Sequence, residues 1–133
     1  PLLISDLNYW KIPVDTLPLA SDLPRISSAS EGFGCLYVLE GATLGSQIIK
    51  RLLEQHLSIS ADNGGAFFNA YGDDVGNMWQ AFRQTVSQYA STHPLERDAI
   101  VATAKETFSK LEDWFTRCLN GSHPVGQTGD DRQ

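Results

Sequence analysis

Apolar positions recur at helical spacing over three stretches of the chain. Leu36, Leu39, Ile48, Ile49, Leu52, Leu53 and Leu57 repeat up to Ser58, with Lys50, Arg51, Glu54 and Gln55 on the polar side. That period lays an apolar stripe along a helix beginning near Ser30. Ser27, Ser28 and Ser30 stand at its start, where hydroxyls accept from the unpaired N–H groups of a first turn. Val75, Met78, Trp79, Phe82, Val86 and Tyr89 form a second stripe, with Asp73 or Asp74 as its cap and His93-Pro94 as its end. Val101, Ala104, Phe108, Leu111, Phe115 and Cys118 form a third, opened by Thr92 and Pro94 and stopped at Asn120-Gly121.

The N-terminal thirty residues obey a different rule. Pro1, Pro13, Pro18 and Pro24 each remove a backbone donor and disfavour helix at the residue before. A short helix fits Leu2 to Trp10, and Ile12 to Arg25 reads as an extended connector pinned by its apolar residues. Asp62, Asn63, Gly64 and Gly65 form a loop, followed by Ala66, Phe67 and Phe68 and a second break at Tyr71 and Gly72. Residues 122–133 are small, polar and charged without periodicity, which predicts a frayed tail. A chain of 133 residues with 41% apolar and 20% charged side chains fits one domain, residues 1–121.

Charge and cysteine usage narrow the function classes. A net charge of −6 repels phosphate backbones, so no nucleic-acid partner is expected. No run reaches the roughly 18 to 20 apolar residues a membrane span needs, and the N-terminus lacks a secretory pattern. Cys35 and Cys118 have no CxxC spacing, so neither zinc nor a disulfide framework is signalled, and a cytoplasmic location is expected. The chain starts at Pro1 and its one methionine is Met78, which predicts a processed or partly observed chain with a further segment upstream.

Gly32, Gly34, Gly41 and Gly45 stand inside the first long helix, where each costs about 1 kcal/mol relative to alanine. Two explanations are open. The glycines permit close helix packing, or Gly41 and Gly45, four residues apart on one face, open a slot for a flat ligand. Trp79, Phe82, Phe108 and Phe115 lie on the other two stripes and serve either as plain core or as the wall of such a slot.

The run Gly34-Cys-Leu-Tyr-Val-Leu-Glu-Gly-Ala-Thr-Leu-Gly-Ser-Gln-Ile-Ile-Lys50 closely resembles the distal helix of bacterial heme oxygenases, nearest to the phytochrome-associated, biliverdin-producing branch. Resemblance continues through Gly65-Ala-Phe-Phe, Tyr71-Gly72, Gly76-Asn-Met-Trp-Gln-Ala-Phe82, Ala104-Lys-Glu-Thr-Phe108 and Trp114-Phe115, covering residues 30 to 119. It implies an all-α, heme-oxygenase-like helical bundle, incomplete at the N-terminus, in which heme lies between a proximal helix bearing a histidine ligand and the glycine-bearing distal helix. Carried across by position, Gly41, Gly45 and Ser46 approach the distal heme face. Trp79, Phe82, Phe108 and Phe115 wall the pocket. The implied activity is oxidative cleavage of heme, which is both substrate and cofactor, to biliverdin, carbon monoxide and iron. Dioxygen and an external electron donor, a ferredoxin or a flavoprotein reductase, take part, and phytochrome is the implied biliverdin acceptor.

Three departures bear on that implication. The proximal histidine is expected on an upstream segment, because His56 ends the distal helix, His93 precedes a proline and His123 lies in the tail. Ala42 stands where some relatives place an aspartate that organises proton-delivering water, and Thr43 need not face the heme, so no catalytic proton relay is assigned. Gln80 and Gln84 occupy a strip where relatives often carry basic residues, which leaves Arg83 as the propionate candidate, with a plain solvated arginine as the equal alternative. Lys50 and Arg51 are either a donor-docking patch or a solvated face. A non-catalytic tetrapyrrole- or protein-binding module that lost its proximal ligand is the competing function.

Overall fold

Local chemistry sets both ends of the longest helix and fewer of the others. The computed structural model describes residues 1–121, and among them α1 spans Leu2–Tyr9, α2 Ala29–Leu57, α3 Val75–Thr92 and α4 Arg97–Leu119, with no strand. The predicted tail, 122–133, lies outside the described residues. Ser28 opens α2 with a reciprocal cap: its hydroxyl accepts from the Glu31 N–H at 3.2 Å, and the Glu31 carboxylate accepts from the Ser28 N–H at 3.0 Å. Ser58, left-handed at φ 54°, closes the same helix. The connector between α1 and α2 is extended apart from one 3-10 turn at Val14–Thr16.

Two expected caps are corrected. Asp74 precedes α3, but its carboxylate accepts from the Asn77 side chain at 2.8 Å and caps no backbone N–H. A 3-10 turn at Gly72–Asp74 already leads the chain into helical geometry, so the orphan donors do not converge on that carboxylate. Thr92 is the last residue of α3, and its hydroxyl donates back to the carbonyls of Gln88 and Tyr89 at 3.2 and 3.0 Å. Pro94, with fixed φ and no N–H to orphan, starts a separate 3-10 turn, Pro94–Glu96, before α4.

The main packing is α2 against α4, and it uses the smallest residues available. Ser30, Gly34 and Val38 are the buried positions of α2; Ile100, Thr103 and Thr107 are those of α4. A Cβ on Gly34 would lie 2.4 Å from the Ile100 carbonyl oxygen and 2.8 Å from Thr103 Cβ, so the helices touch backbone to backbone. The buried Thr107 hydroxyl is satisfied within its own helix, donating to the Thr103 carbonyl at 2.7 Å.

This displaces the predicted α4 stripe by one position. Val101, Phe108 and Phe115 are 52%, 58% and 60% exposed, because a seam this narrow admits threonine and leaves large rings along its flank. On α2, Leu36, Leu39, Ile48, Ile49, Leu52 and Leu57 are likewise exposed among the described residues. Met78 is the exposed member of the α3 stripe, whose other members are half-buried.

α1 is tied to the loop after α2 by polar contacts. Asp6 is buried, and its carboxylate accepts from the Ala66 and Phe67 N–H groups at 2.9 and 2.8 Å, capping the 3-10 turn Phe67–Asn69. Trp10 Nε1 donates to the Gly64 carbonyl at 2.9 Å. Gly64 has φ +96°, and a Cβ there would meet Trp10 Nε1 at 2.3 Å, so only glycine fits. Lys110 of α4 pairs with Asp22 and ties down the connector.

Candidate functional site

Beyond the Gly34 seam, side chains of α2, α3 and α4 enclose a groove. Tyr37, Val38, Gly41, Ala42 and Leu44 of α2, Phe108, Leu111, Glu112 and Phe115 of α4, and Trp79 of α3 surround about 520 Å³ of space. That falls within the ~300–1,000 Å³ range of small-molecule sites, and the lining is mostly aromatic and aliphatic, as such sites require. The rings left exposed by the tight seam are therefore the ones that wall the groove.

Gly41 matters here through what touches it. A Cβ at Gly41 would stand 3.5 Å from Trp79 Cη2, so the indole lies against bare helix backbone. Trp79 is held on two further sides, by Tyr37 with ring centroids 5.3 Å apart and by Phe82, stacked at 5.8 Å. At Gly45, one turn on, a Cβ would meet nothing within 4 Å. Three of the glycines thus divide between the two explanations: Gly34 serves packing between helices, Gly41 takes the Trp79 indole against its backbone, and Gly45 alone leaves backbone open.

Of the predicted site residues, Gly41, Trp79, Phe108 and Phe115 come together around the groove. Phe82 is half-buried behind Trp79 and does not line it. Gly45 and Ser46 lie along α2 past the lining, and the Ser46 hydroxyl donates to the Ala42 carbonyl at 3.2 Å. The Thr43 hydroxyl is committed in the same way, to the Glu40 carbonyl at 2.6 Å. Arg83 lines a neighbouring hollow of about 560 Å³ with Trp79, Gln80, Gln84 and Ser87, so Trp79 is the shared wall. His56 is exposed at the end of α2; His93 stacks on Tyr89 at 4.2 Å with Nδ1 2.9 Å from the Thr92 hydroxyl. Neither lines the groove.

Sequence patterning overlooked Tyr37, Leu44 and Glu112 in the lining, although Tyr37 is one helical turn from Gly41 and a face projection would place it there. It also overlooked a polar pair beside the groove. The Tyr71 hydroxyl lies 3.1 and 3.0 Å from the two carboxylate oxygens of Glu40, to which it donates. The bond to that carboxylate raises the Tyr71 phenol above its ordinary pKa, with burial and the Glu40 charge adding to the shift.

The helices and groove define an all-α protein with an aromatic-walled groove between α2, α3 and α4. The heme oxygenase family model matches residues 19–117, and the chain belongs to the heme oxygenase family. It is 33% identical over 119 residues to a heme oxygenase from Xanthomonas campestris pv. campestris (strain 8004). The match covers 90% of this chain and 66% of that relative, so the chain spans just under two thirds of the relative's length. No solved structure matches it significantly.

Proposed function

We propose that the protein is a heme oxygenase that holds its substrate heme in the groove between α2 and α4. The observation that carries this is the meeting of bare backbone at Gly41 with the rings of Trp79, Phe108 and Phe115 around one cavity. A flat, largely apolar ring system fills such a slot by displacing water from aromatic faces. Gly45 leaves room on the distal side for a diatomic molecule, Trp79 against Gly41 with Phe108 and Phe115 limits where the macrocycle sits, and Arg83 is the cation for a propionate. Heme supplies the oxygen chemistry, and cleavage to biliverdin, carbon monoxide and iron draws on dioxygen and external electrons.

The proximal ligand, in this proposal, is a histidine on a segment outside this chain. The exposed aliphatic face of α2 supports that assignment, since a packed helix there buries Ile48, Ile49 and Leu52. A ferredoxin or flavoprotein reductase supplies electrons, phytochrome accepts the product, and the enzyme works in the cytoplasm. Among the described residues, no helix is long and apolar enough to cross a membrane.

Ferric heme added to the full-length protein is expected to give a saturable Soret band, and reductant under oxygen to give biliverdin. Binding without consumption favours the competing function, a tetrapyrrole-binding module, which the apolar Ala42 beside Gly41 already supports. Absence of heme binding overturns the proposal.

A further inference from the structure

We propose that Tyr71 and Glu40 are positioning residues for the groove: their hydrogen bond clamps the turn before α3 to α2 and so holds Trp79 against Gly41. The inference rests on the heme-binding proposal for its consequence and on geometry for its substance. Glu40 is the residue before Gly41 on α2, and its carboxylate is engaged through both oxygens by the Tyr71 hydroxyl at 3.0–3.1 Å. One residue on, the Gly72 carbonyl accepts from Gln47 Nε2 at 3.4 Å, a longer and weaker tie to the same helix. Gly72 has φ +54° and opens the 3-10 turn Gly72–Asp74 that leads into α3. Trp79 stands two turns downstream of this anchor.

The apolar contact alone fixes Trp79 weakly. The 3.5 Å approach to Gly41 and the rings of Tyr37 and Phe82 hold the indole by dispersion contacts, which are non-directional and individually small. A hydrogen bond to a partly buried carboxylate is directional and among the stronger kinds. Glu40 and Tyr71 therefore supply the register, and the rings supply the area. Without the bond, the fraction of molecules with a formed groove falls, and apparent heme affinity falls with that fraction.

The test combines three variants of the full-length protein with an NMR contact, the Soret band, heme affinity, and helical circular dichroism as the folding control. In wild type, an NMR cross-peak between the Gly41 Hα protons and the Trp79 ring is expected without heme. Tyr71→Phe and Glu40→Leu are expected to lose that cross-peak, keep their helical circular dichroism, shift the Soret band of bound heme and weaken heme binding about tenfold, the usual scale for a bond to a charged group. Glu40→Gln, which retains an acceptor, is expected to restore the cross-peak and most of the affinity. A cross-peak and Soret band unchanged in Tyr71→Phe overturn the clamp. Absence of heme binding in wild type defeats the functional proposal alone, since the cross-peak still decides the clamp; failure of Glu40→Gln to rescue overturns the role of the acceptor.

Discussion

Two glycines of one helix, seven residues apart, do opposite things. At Gly34 the absent side chain is filled by another backbone, with the Ile100 carbonyl 2.4 Å from where a Cβ would be. At Gly41 it is met by the outer benzo carbons of the Trp79 indole at ordinary contact distance, and at Gly45 by open space. The seam and the groove are thus successive stretches of one helix pair. Where α2 and α4 touch at their backbones, serine, threonine, valine and isoleucine fit between them; the large rings lie on the flank, and further along they have a cavity to wall. Small residues at the seam are the reason that aromatics are free at the groove.

The largest expected effect is at the seam. Gly34→Ala drives a methyl into a carbonyl that cannot swing away, so overpacking outweighs the helix-propensity gain and stability falls by about 2 kcal/mol. Thermal unfolding is then expected roughly 5–10 °C lower for a domain of this size. An unchanged Tm means that the helices separate more easily than backbone contact allows.

Gly41→Leu sharpens the contrast, because the new side chain enters the groove and not the seam. It is expected to abolish detectable Soret absorbance on heme titration while leaving the denaturant midpoint within the error of wild type. A variant that unfolds instead shows that Trp79 has no freedom to retreat. Gly45→Ala is expected to move stability the other way, raising it by up to ~1 kcal/mol in urea unfolding, since its Cβ meets nothing and helix propensity improves. A loss of stability there places an unseen neighbour against that face.

The smallest effect is a pH response confined to the seam end of α2. Hydrogen bonds from Ser27 and Ser28 hold the Glu31 carboxyl below its ordinary pKa, with the Ser27 backbone bond the largest cause. A lowered folded-state value contributes stability that is complete above the ordinary glutamate range, near ~4.3, and is lost as pH falls below it. Amide protection factors, the intrinsic rate at each pH divided by the observed exchange rate, are therefore expected to fall between pH 5.5 and pH 3 more for residues 29–34 than for residues 41–48, and Glu31→Gln to remove the difference.

Much of the local structure was legible along the chain. Ser27, Ser28 and Ser30 announce the start of α2, His93-Pro94 ends α3, and the prolines of the first thirty residues forbid a long helix there. Gly41, Trp79, Phe108 and Phe115 could be nominated for one site, through the glycine spacing and a family resemblance. Asp6 was not legible as a cap, because its partners at Ala66 and Phe67 lie sixty residues away. Glu40 with Tyr71 was hidden for the same reason, thirty-one residues apart with no periodicity linking them.

By itself the sequence determined where helices start and stop, because capping, proline and hydrophobic period act within a few residues of chain. It also determined that rings and bare glycines occur on those helices. Only the tertiary structure decided which glycine packs and which stays open, and which face of α4 turns inward. Backbone contact at Gly34 sets the rotation of both helices about their axes, and that rotation depends on atoms sixty-six or more residues apart meeting in space. A periodic pattern carries no information about such a meeting.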